Sequence, residues 1–362
     1  MSIIGRRLND LDTPTLWVNL AIMEANIKMA AAHFASAGKQ WRPHFKGIKT
    51  PAIAHKLIKA GAIGITCAKL GEAEVLVASG ITDILIANQV VGAKKIERLA
   101  FLRRSADVKV AVDDPTNVSQ LGAIASSMGV EIGVVVDVNT GMQRTGVQPG
   151  EPVVALSGLV HDTAGLNYLG VMAWEGHTLG HVDEAVKRAE IEKSIGYLVD
   201  SAELCRQADL PVSIVSGGGS GTMTTTPFLP GLTEIQAGGV IFSDVLYNQW
   251  GVITTPCLFV RALVTSRSAS DRIVIDAGYK TLPAFHMAPR PLGIDGVKSY
   301  GASAEHGSIM LDAPNDTVKV GDTLDLMVGY TDATLFLHDE LVGVRDGVVE
   351  VVWDIAARGK LK

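Results

Sequence analysis

Cysteine is scarce in this 362-residue chain, and long hydrophobic runs are absent. The three cysteines, Cys67, Cys205 and Cys257, are scattered and odd in number, so by themselves they build neither a disulfide framework nor a zinc site. No apolar run approaches the roughly 20 residues that cross a bilayer. The N-terminal MSIIGRRLND also lacks the apolar stretch of a signal peptide. We therefore expect a protein of the reducing cytoplasm with no membrane partner.

Positive charge is in deficit. Lysine and arginine number 32 against 38 acidic residues, which leaves a net charge of −6, and no basic run occurs. This balance argues against a nucleic-acid partner and favours a small-molecule ligand. Hydrophobic residues make up 47% of the chain, enough for the core of one large domain or two ordinary ones.

Short apolar runs rich in β-branched residues recur along the first two thirds of the chain and predict strands. Most are followed by stretches with apolar residues at helical spacing. The runs are 41–46, 63–68, 83–88, 108–113, 132–139, 168–175, 212–218 and 233–239. Eight such units predict an α/β fold, a (β/α)8 TIM-type barrel over residues 12–250. A doubly wound open sheet is the alternative.

The remaining residues, 251–362, have a different sequence pattern. Runs such as CLFVRALVTSR, TLDLMVG and VVEVVWDIAARG alternate with turn signals, and helical periodicity is scarce. We predict a C-terminal all-β domain with its boundary near Trp250. LWVNL at 16–20 is a further candidate strand of this domain, which would join residues 1–20 to it.

The segment WRPHFKGIKT carries three basic side chains two residues apart. Because strand side chains alternate, Arg42, His44 and Lys46 would share one face, which looks into the barrel and reaches its mouth at Lys46. An unpaired buried ammonium is costly. Forming an imine would neutralise Lys46, and desolvation would make its amine nucleophilic.

An ion pair of Lys46 with Asp113 or Asp137 is the structural alternative to an imine. Lys49 and Lys69 are weaker imine candidates, because one lies in the first turn of the following helix and the other opens the next loop. Both are predicted to be solvated.

Glycine-rich sequence follows the last two predicted strands. SGGGSGT and the later Gly-Gly pair could cradle a phosphate with their backbone N–H groups, and barrel phosphate sites often lie after strands seven and eight. The spacing is that of neither a Walker loop nor a dinucleotide fingerprint. An imine lysine and a phosphate cradle on one barrel face indicate pyridoxal 5′-phosphate (PLP). The candidate residues are Ser216, Gly218, Gly219, Ser220, Gly238 and Gly239.

Several separated motifs, in order, resemble the D-threonine aldolase / D-serine dehydratase family of PLP enzymes. These enzymes share the alanine racemase-like barrel (fold type III) and a C-terminal β domain. The motifs are TPTLWVNL, RPHFKGIK, GITCAKLGEAEVLVASGITDILIANQVVG, DVNTGMQRTGV, SGGGSGT, EIQAGGVIFSDVLY, SAEHG and GYTDATLFLHDELVG. The resemblance implies that Lys46 forms the imine and that His44, Arg144 and Trp174 contact the cofactor.

The resemblance also implies a homodimer whose active sites draw residues from two subunits. It implies that His306 and His338 of the β domain lie near that site.

The chain departs from the family's motifs at three places. Ile48 stands where a second histidine commonly follows the lysine, and Trp174 stands where a tyrosine is often found. The family's divalent metal pair is His-x-Asp or His-x-Cys, whereas the matching positions here are Tyr330 and Asp332. Asp332 could still hold Mg²⁺, Mn²⁺ or Zn²⁺, and a metal-free site is the alternative.

The predicted function is that of a PLP-dependent carbon–carbon lyase. It would cleave a D-threonine-like β-hydroxy-α-amino acid, bound through the Lys46 imine, to glycine or a small amino acid and an aldehyde. His177 is the expected base, with His181 as the alternative. Two alternative functions stay open. One is dehydration of D-serine or D-3-hydroxyaspartate to a keto acid and ammonia, and the other is PLP binding without catalysis.

Overall fold

The structure is a computed structural model and describes residues 2–362. The chain divides into two compact units. The first, the β unit, comprises residues up to 30, 47–52 and 239–358. The second, the barrel unit, comprises residues 31–46, 53–238 and 359–362.

The strands alternate with helices in the middle of the chain, whereas from Leu258 onwards they follow one another with only short helical turns between Met327 and Glu340. In chain order they are β1 (Thr15–Asn19), β2 (Gln40–Trp41), β3 (Ile65–Cys67), β4 (Asp83–Gln89), β5 (Asp107–Val112), β6 (Ile132–Asp137), β7 (Leu166–Met172), β8 (Ile214–Gly217), β9 (Glu234–Ile235), β10 (Leu258–Ala269), β11 (Arg272–Ile275), β12 (Arg290–Pro291), β13 (Val297–Ala302), β14 (Gly307–Leu311), β15 (Thr323–Met327), β16 (Glu340–Arg345) and β17 (Val348–Asp354).

The α-helices mostly connect the parallel strands. They are α1 (Leu20–Ser36), α2 (Pro51–Lys59), α3 (Leu70–Ala78), α4 (Ala93–Leu102), α5 (Pro115–Ser127), α6 (Glu151–Asp162), α7 (Glu184–Gln207), α8 (Val245–Gln249) and α9 (Thr331–Thr334). Short 3-10 turns occupy Leu8–Asp10, Phe45–Gly47, Gly176–Gly180, Ser220–Thr222, Thr226–Phe228, Gly239–Ile241 and Leu335–Leu337. Within residues 2–362, none of the helices has the length and apolar character needed to cross a membrane.

The barrel unit is built on eight parallel strands in the order β2-β9-β8-β7-β6-β5-β4-β3. The Thr66 N–H donates to the Pro43 carbonyl at 3.0 Å, and an isolated parallel bridge pairs His44 with Thr66. These contacts join the two ends of the sheet, so the strands close on themselves. Buried side chains from four neighbouring strands fill the interior: Leu85, Ala111, Val135 and Met172. The predicted TIM-type barrel with a separate β domain is confirmed.

Local signals place the helices around the barrel. Helix α5 begins as expected for an Asp-Pro start: the Asp114 carboxylate accepts the Asn117 N–H at 3.0 Å, and Pro115 occupies the first helical position. The buried side of α4 carries Ile96 and Leu99 at three-residue spacing.

The β unit is a mostly antiparallel sheet with the order β13-β14-β11-β10-β1-β16-β17, and β15 pairs with β10 and β12. Strand β1 pairs antiparallel with β10 and parallel with β16, so an N-terminal strand lies in the middle of this sheet. The Trp17 and Phe259 rings stack with centroids 4.7 Å apart and anchor a buried cluster that includes Val342 and Val349.

The strand expected over 41–46 is much shorter than predicted. Only Gln40–Trp41 is extended as a strand, and Phe45–Gly47 forms a 3-10 turn. Arg42, 2% exposed, pairs with Asp83 and with Glu234, the latter at 3.1 Å. Because the turn ends the alternation of side chains, Lys46 does not share this buried environment and is exposed.

Candidate active site

The carboxyl ends of neighbouring barrel strands bring several predicted site residues to one edge. The register pairs Asp137 of β6 with Met172 of β7, and Met172 with Ser216 of β8. Strand β9 continues this row, because Ser216 pairs with Glu234. The segments that leave these strands therefore emerge side by side, as expected for a barrel whose chemistry sits at its C-terminal face.

The glycine loop after β8 and its neighbour after β9 contain positions at which a side chain would clash. Gly218 has φ +71°, and a Cβ on Gly219 would come within 2.4 Å of the Trp174 ring. After β9, a Cβ on Gly238 would lie 2.0 Å from the His44 carbonyl oxygen. In the β unit, a Cβ on Gly239 would meet the Tyr247 ring at 2.3 Å. Each glycine therefore permits a close approach that a side chain would block.

The side chains predicted beside this loop have defined partners. Ser216 is fully buried; its hydroxyl donates to Glu234 at 2.8 Å and accepts from the Gln236 amide at 2.9 Å. Ser220, 6% exposed, opens the 3-10 turn of the loop. The Ser216 hydroxyl therefore stabilises the fold by linking β8 to the segment that contains Glu234 and Gln236.

Glu175 is a buried residue at this edge that the sequence reasoning did not single out. It is fully buried, and its carboxylate accepts the Gly218 N–H at 3.3 Å, the Thr222 hydroxyl at 2.8 Å and the Thr226 hydroxyl at 2.7 Å. The signal available in the sequence was an acidic residue directly after Trp174 at a strand end, where barrel chemistry concentrates.

Lys46 lies in the 3-10 turn Phe45–Gly47, directly after Pro43 and His44, which pair with Thr66 and close the barrel. Its backbone N–H donates to the His44 ring Nδ1 at 3.2 Å, which ties the half-buried His44 to the turn. Lys69 is exposed, as expected. Lys49, expected to be solvated, is 8% exposed instead, because it precedes α2 in a left-handed conformation (φ 51°) rather than lying in the first turn of the helix.

The two carboxylates considered as partners of Lys46 accept hydrogen bonds from nearby loops. Asp137 Oδ2 accepts the Gln89 amide at 3.0 Å and the Thr145 hydroxyl at 2.7 Å. Burial is the main cause that raises the pKa of Asp137. Asp113 accepts the Gly146 N–H at 2.9 Å. Both therefore hold the loop after β6.

The other predicted residues of the barrel unit differ in exposure. Arg144 is exposed on the loop after β6, and His181 is exposed after β7. His177 lies half-buried between Gly141 and α7, where its Nε2 is 3.3 Å from the Ser194 hydroxyl. Its Nδ1 is buried and has no hydrogen-bond partner among residues 2–362.

In the β unit, Tyr330 and Asp332 contact each other. The Tyr330 hydroxyl donates to Asp332 Oδ2 at 3.1 Å, and burial together with the nearby Asp332 charge raises the pKa of the phenol. The Tyr330 ring packs edge-on near Tyr247, Trp250 and His286, at centroid distances of 6.1, 6.3 and 5.7 Å.

As a donor set for a divalent metal, the Tyr330–Asp332 pair is weaker than a His-x-Asp pair. A phenol that donates to the neighbouring carboxylate is a poor replacement for a neutral imidazole ligand. Over the described residues, no group of three or more histidine, cysteine, aspartate or glutamate side chains is arranged to hold a metal. Tyr330 and Asp332 therefore offer a divalent ion one carboxylate and a phenol, where a His-x-Asp pair offers a carboxylate and an imidazole.

The β-unit histidines occupy different settings. His338 lies 2.9 Å from the Thr281 carbonyl oxygen through its Nε2, and burial lowers its pKa. His306 is exposed. His338 is thus held by the fold, whereas His306 faces solvent.

The barrel edge does fit a phosphate-bearing aldehyde cofactor. Strands β8 and β9 are adjacent, and each is followed at this edge by a loop that contains glycine, Gly218 in one and Gly238 in the other. A primary amine at Lys46 and an indole ring at Trp174 belong to the same unit. This combination offers an imine-forming group beside glycine loops that let an anion approach the backbone closely.

Comparisons with known proteins agree with this geometry. Residues 18–245 match the family described as "Alanine racemase, N-terminal domain", and residues 257–344 match the one described as "Putative serine dehydratase domain". The chain is 37% identical over 360 residues to the D-threonine aldolase of Arthrobacter sp., covering 98% of this chain and 95% of that protein.

Two further comparisons extend over nearly the whole chain. The 3-hydroxy-D-aspartate aldolase of Paracoccus denitrificans (strain Pd 1222) is 32% identical over 373 residues, covering 98% of this chain and 94% of that protein. The crystal structure of D-threonine aldolase from Filomicrobium marinum superposes with a TM-score of 0.96 at 33% identity, covering 100% of both chains.

Proposed function

The chain belongs to the alanine racemase N-terminal domain family, and from this premise we propose that it is a PLP-dependent lyase that cleaves D-configured β-hydroxy-α-amino acids. The products are an aldehyde and glycine or a small amino acid. The observation that carries the proposal is the likeness to D-threonine aldolase over 98% of the chain.

The cofactor would be held by the barrel unit. Lys46 would bind its aldehyde, Trp174 would lie against its ring, and Arg144 would steer its phenolic oxygen. The loop Gly218–Thr222 and the backbone at Gly238 would receive its phosphate. When bound, PLP supplies the electron sink that accepts the electron pair of the broken Cα–Cβ bond.

The protein's own groups then have two proton transfers to perform. His177 takes the proton of the β-hydroxyl as the Cα–Cβ bond breaks and the aldehyde leaves, and Lys46 returns a proton to Cα. The support for His177 is its place in the 3-10 turn Gly176–Gly180 that follows β7, at the barrel edge where catalytic groups concentrate.

We propose that this cleavage needs no divalent ion. The support is the donor set of the β unit, in which the Tyr330 hydroxyl donates to Asp332. Turnover with EDTA should equal turnover without it, within about twofold. No step is therefore assigned to a metal.

Dehydration of D-serine or D-3-hydroxyaspartate is the second candidate, favoured by the match of residues 257–344 to the putative serine dehydratase domain. It must expel the β-hydroxyl, which calls for an acid or a Lewis acid on the departing oxygen. A donor set unsuited to a metal therefore favours cleavage.

A substrate panel tests these functions. PLP-reconstituted protein is incubated with D-threonine, L-threonine, D-phenylserine and D-serine, with and without EDTA. Release of aldehyde from the D-substrates supports cleavage. Release of keto acid and ammonia would instead show that the protein is a dehydratase. No turnover of any substrate, with the cofactor bound, would leave a PLP-binding protein without catalysis.

We further propose a cytoplasmic homodimer. Support for the compartment comes from Cys67, Cys205 and Cys257, which are buried free thiols. Support for the dimer comes from Tyr279 and Phe285 of the β unit, which are 52% and 61% exposed although large and aromatic. Light scattering should give twice the mass of the chain, and the mass of one chain would contradict the dimer.

A further inference from the structure

Glu175 is a buried carboxylate for which the proposed reaction gives no proton-transfer role. It is fully shielded from solvent. A buried carboxylate is costly unless hydrogen bonds satisfy it. Here the hydrogen bonds that the carboxylate accepts come from one neighbouring segment, the glycine loop and the turn that follows it.

The two carboxylate oxygens divide this segment between them. Oε2 accepts the Gly218 N–H at 3.3 Å, while Oε1 accepts the hydroxyls of Thr222 at 2.8 Å and Thr226 at 2.7 Å. The Thr222 hydroxyl in turn accepts the Gly219 N–H at 3.1 Å. The amides of both glycines are therefore turned into the protein and fixed there.

This arrangement changes how the loop can bind an anion. The N–H groups of Gly218 and Gly219 are engaged with Glu175 and Thr222, so the glycines serve the shape of the loop more than contact with a ligand. Trp174, the preceding residue, packs against Gly219. Two consecutive residues thus contact the loop: the Trp174 ring packs against it, and the Glu175 carboxylate accepts its hydrogen bonds.

We propose that Glu175 is a positioning residue that holds the segment Gly218–Thr226 in the conformation that receives the phosphate of the cofactor. It acts through the loop and does not touch the phosphate. The proposal rests on the proposed function, because that function assigns the phosphate to this loop.

Glu175→Gln is the sharpest test. Glutamine can keep the two threonine hydroxyl bonds through its carbonyl oxygen, but its NH₂ group would face the Gly218 N–H, and two donors cannot bond. We expect the dissociation constant for PLP to rise about 10- to 100-fold, the effect of one unsatisfied buried donor. The dissociation constant for pyridoxal, which lacks the phosphate, should change less than about threefold.

Both constants are measured by absorbance titration of the cofactor-free protein, together with its melting temperature. Glu131→Gln is the matched control, because Glu131 is exposed and the bond from Arg103 reaches only its backbone carbonyl. Thr226→Val, which removes one donor to Oε1, should give a smaller selective loss, and Thr226→Ser should restore PLP binding.

Three outcomes would overturn the proposal. Equal weakening of PLP and pyridoxal with a lower melting temperature would make Glu175 a general stabiliser of the fold. Unchanged binding of both would remove its role altogether. If the unmodified protein binds PLP and pyridoxal equally, the loop is not a phosphate site; this outcome is separate from aldehyde release, which the substrate panel measures.

Discussion

The glycine loop of the barrel unit and the Tyr330–Asp332 region of the β unit use different chemistry. In the loop, one buried carboxylate, that of Glu175, accepts hydrogen bonds from one backbone N–H and from two threonine hydroxyls. In the β unit, the contact is between two side chains, a phenol and a carboxylate. The loop depends on the close backbone approach that glycine permits and on several side-chain bonds to one anchor, whereas the Tyr330–Asp332 pair offers different ligands to a metal after a single substitution.

Removal of the Lys46 amine should have the largest effect and tests whether the barrel unit carries the chemistry. Lys46→Ala should lower aldehyde release from D-phenylserine by at least about 100-fold, because both the covalent amine and a proton donor are lost. The visible imine band should disappear. Lys69→Ala, at an exposed lysine, is the control. An intact band in Lys46→Ala would move the imine to another amine.

Crowding the glycine loop tests its dependence on backbone shape. Gly219→Ala would put a methyl group 2.4 Å from the Trp174 ring, so the ring or the loop must shift. We expect PLP affinity to fall about tenfold, a change comparable to one misplaced contact. Absorbance titration measures it.

Gly158→Ala in α6 is the matched control, because nothing lies within 4 Å of its added methyl group. It should raise stability by about 0.5–1 kcal/mol through helix propensity and leave PLP binding unchanged. Equal PLP affinity in both variants would show that the loop tolerates a side chain.

Restoring an imidazole in the β unit tests the side-chain region. Tyr330→His creates a His-x-Asp pair, and we expect Mn²⁺ to bind at least about tenfold more tightly than to the unmodified protein. Calorimetric titration measures it, with Tyr197→His, at a tyrosine of α7 that is 42% exposed, as control. Loss of unmodified activity in EDTA, recovered with Mn²⁺, would contradict the metal-free assignment.

The pH dependence of stability should show the smallest effect. Burial raises the pKa of Asp137, so the folded protein retains the proton better than the unfolded chain. The stability from this group is complete below the ordinary carboxyl pKa and is lost as pH rises through the folded pKa. Asparagine can keep the bonds from Gln89 and Thr145 without ionising.

Urea unfolding at about pH 4, near the ordinary carboxyl pKa, and at about pH 7 checks this expectation. Between these values, the unmodified protein should lose more free energy of unfolding than Asp137→Asn does, since the other titrating groups cancel in the difference. Asp162→Asn, at an exposed carboxylate, should follow the unmodified protein. Parallel profiles for all three would show that Asp137 does not contribute.

Much of the fold was accessible to sequence reasoning, and errors arose where a short segment changed conformation. Periodicity located the barrel strands because each buries β-branched side chains. It misread the segment that ends at Lys46, where a 3-10 turn replaces the expected strand and separates the exposed lysine from the buried Arg42. Lys49 was misplaced for the same reason: a left-handed residue precedes α2.

The sequence by itself determined the alternation of strands and helices, the glycines at strand ends and the lysine motif, because these depend on local spacing. Only the tertiary structure decided which groups those glycines contact. Glu175 is 43 residues from Gly218 and 51 from Thr226 in the chain. Their contact exists because β7 and β8 pair side by side, and no local pattern encodes which distant hydroxyls a buried carboxylate will meet.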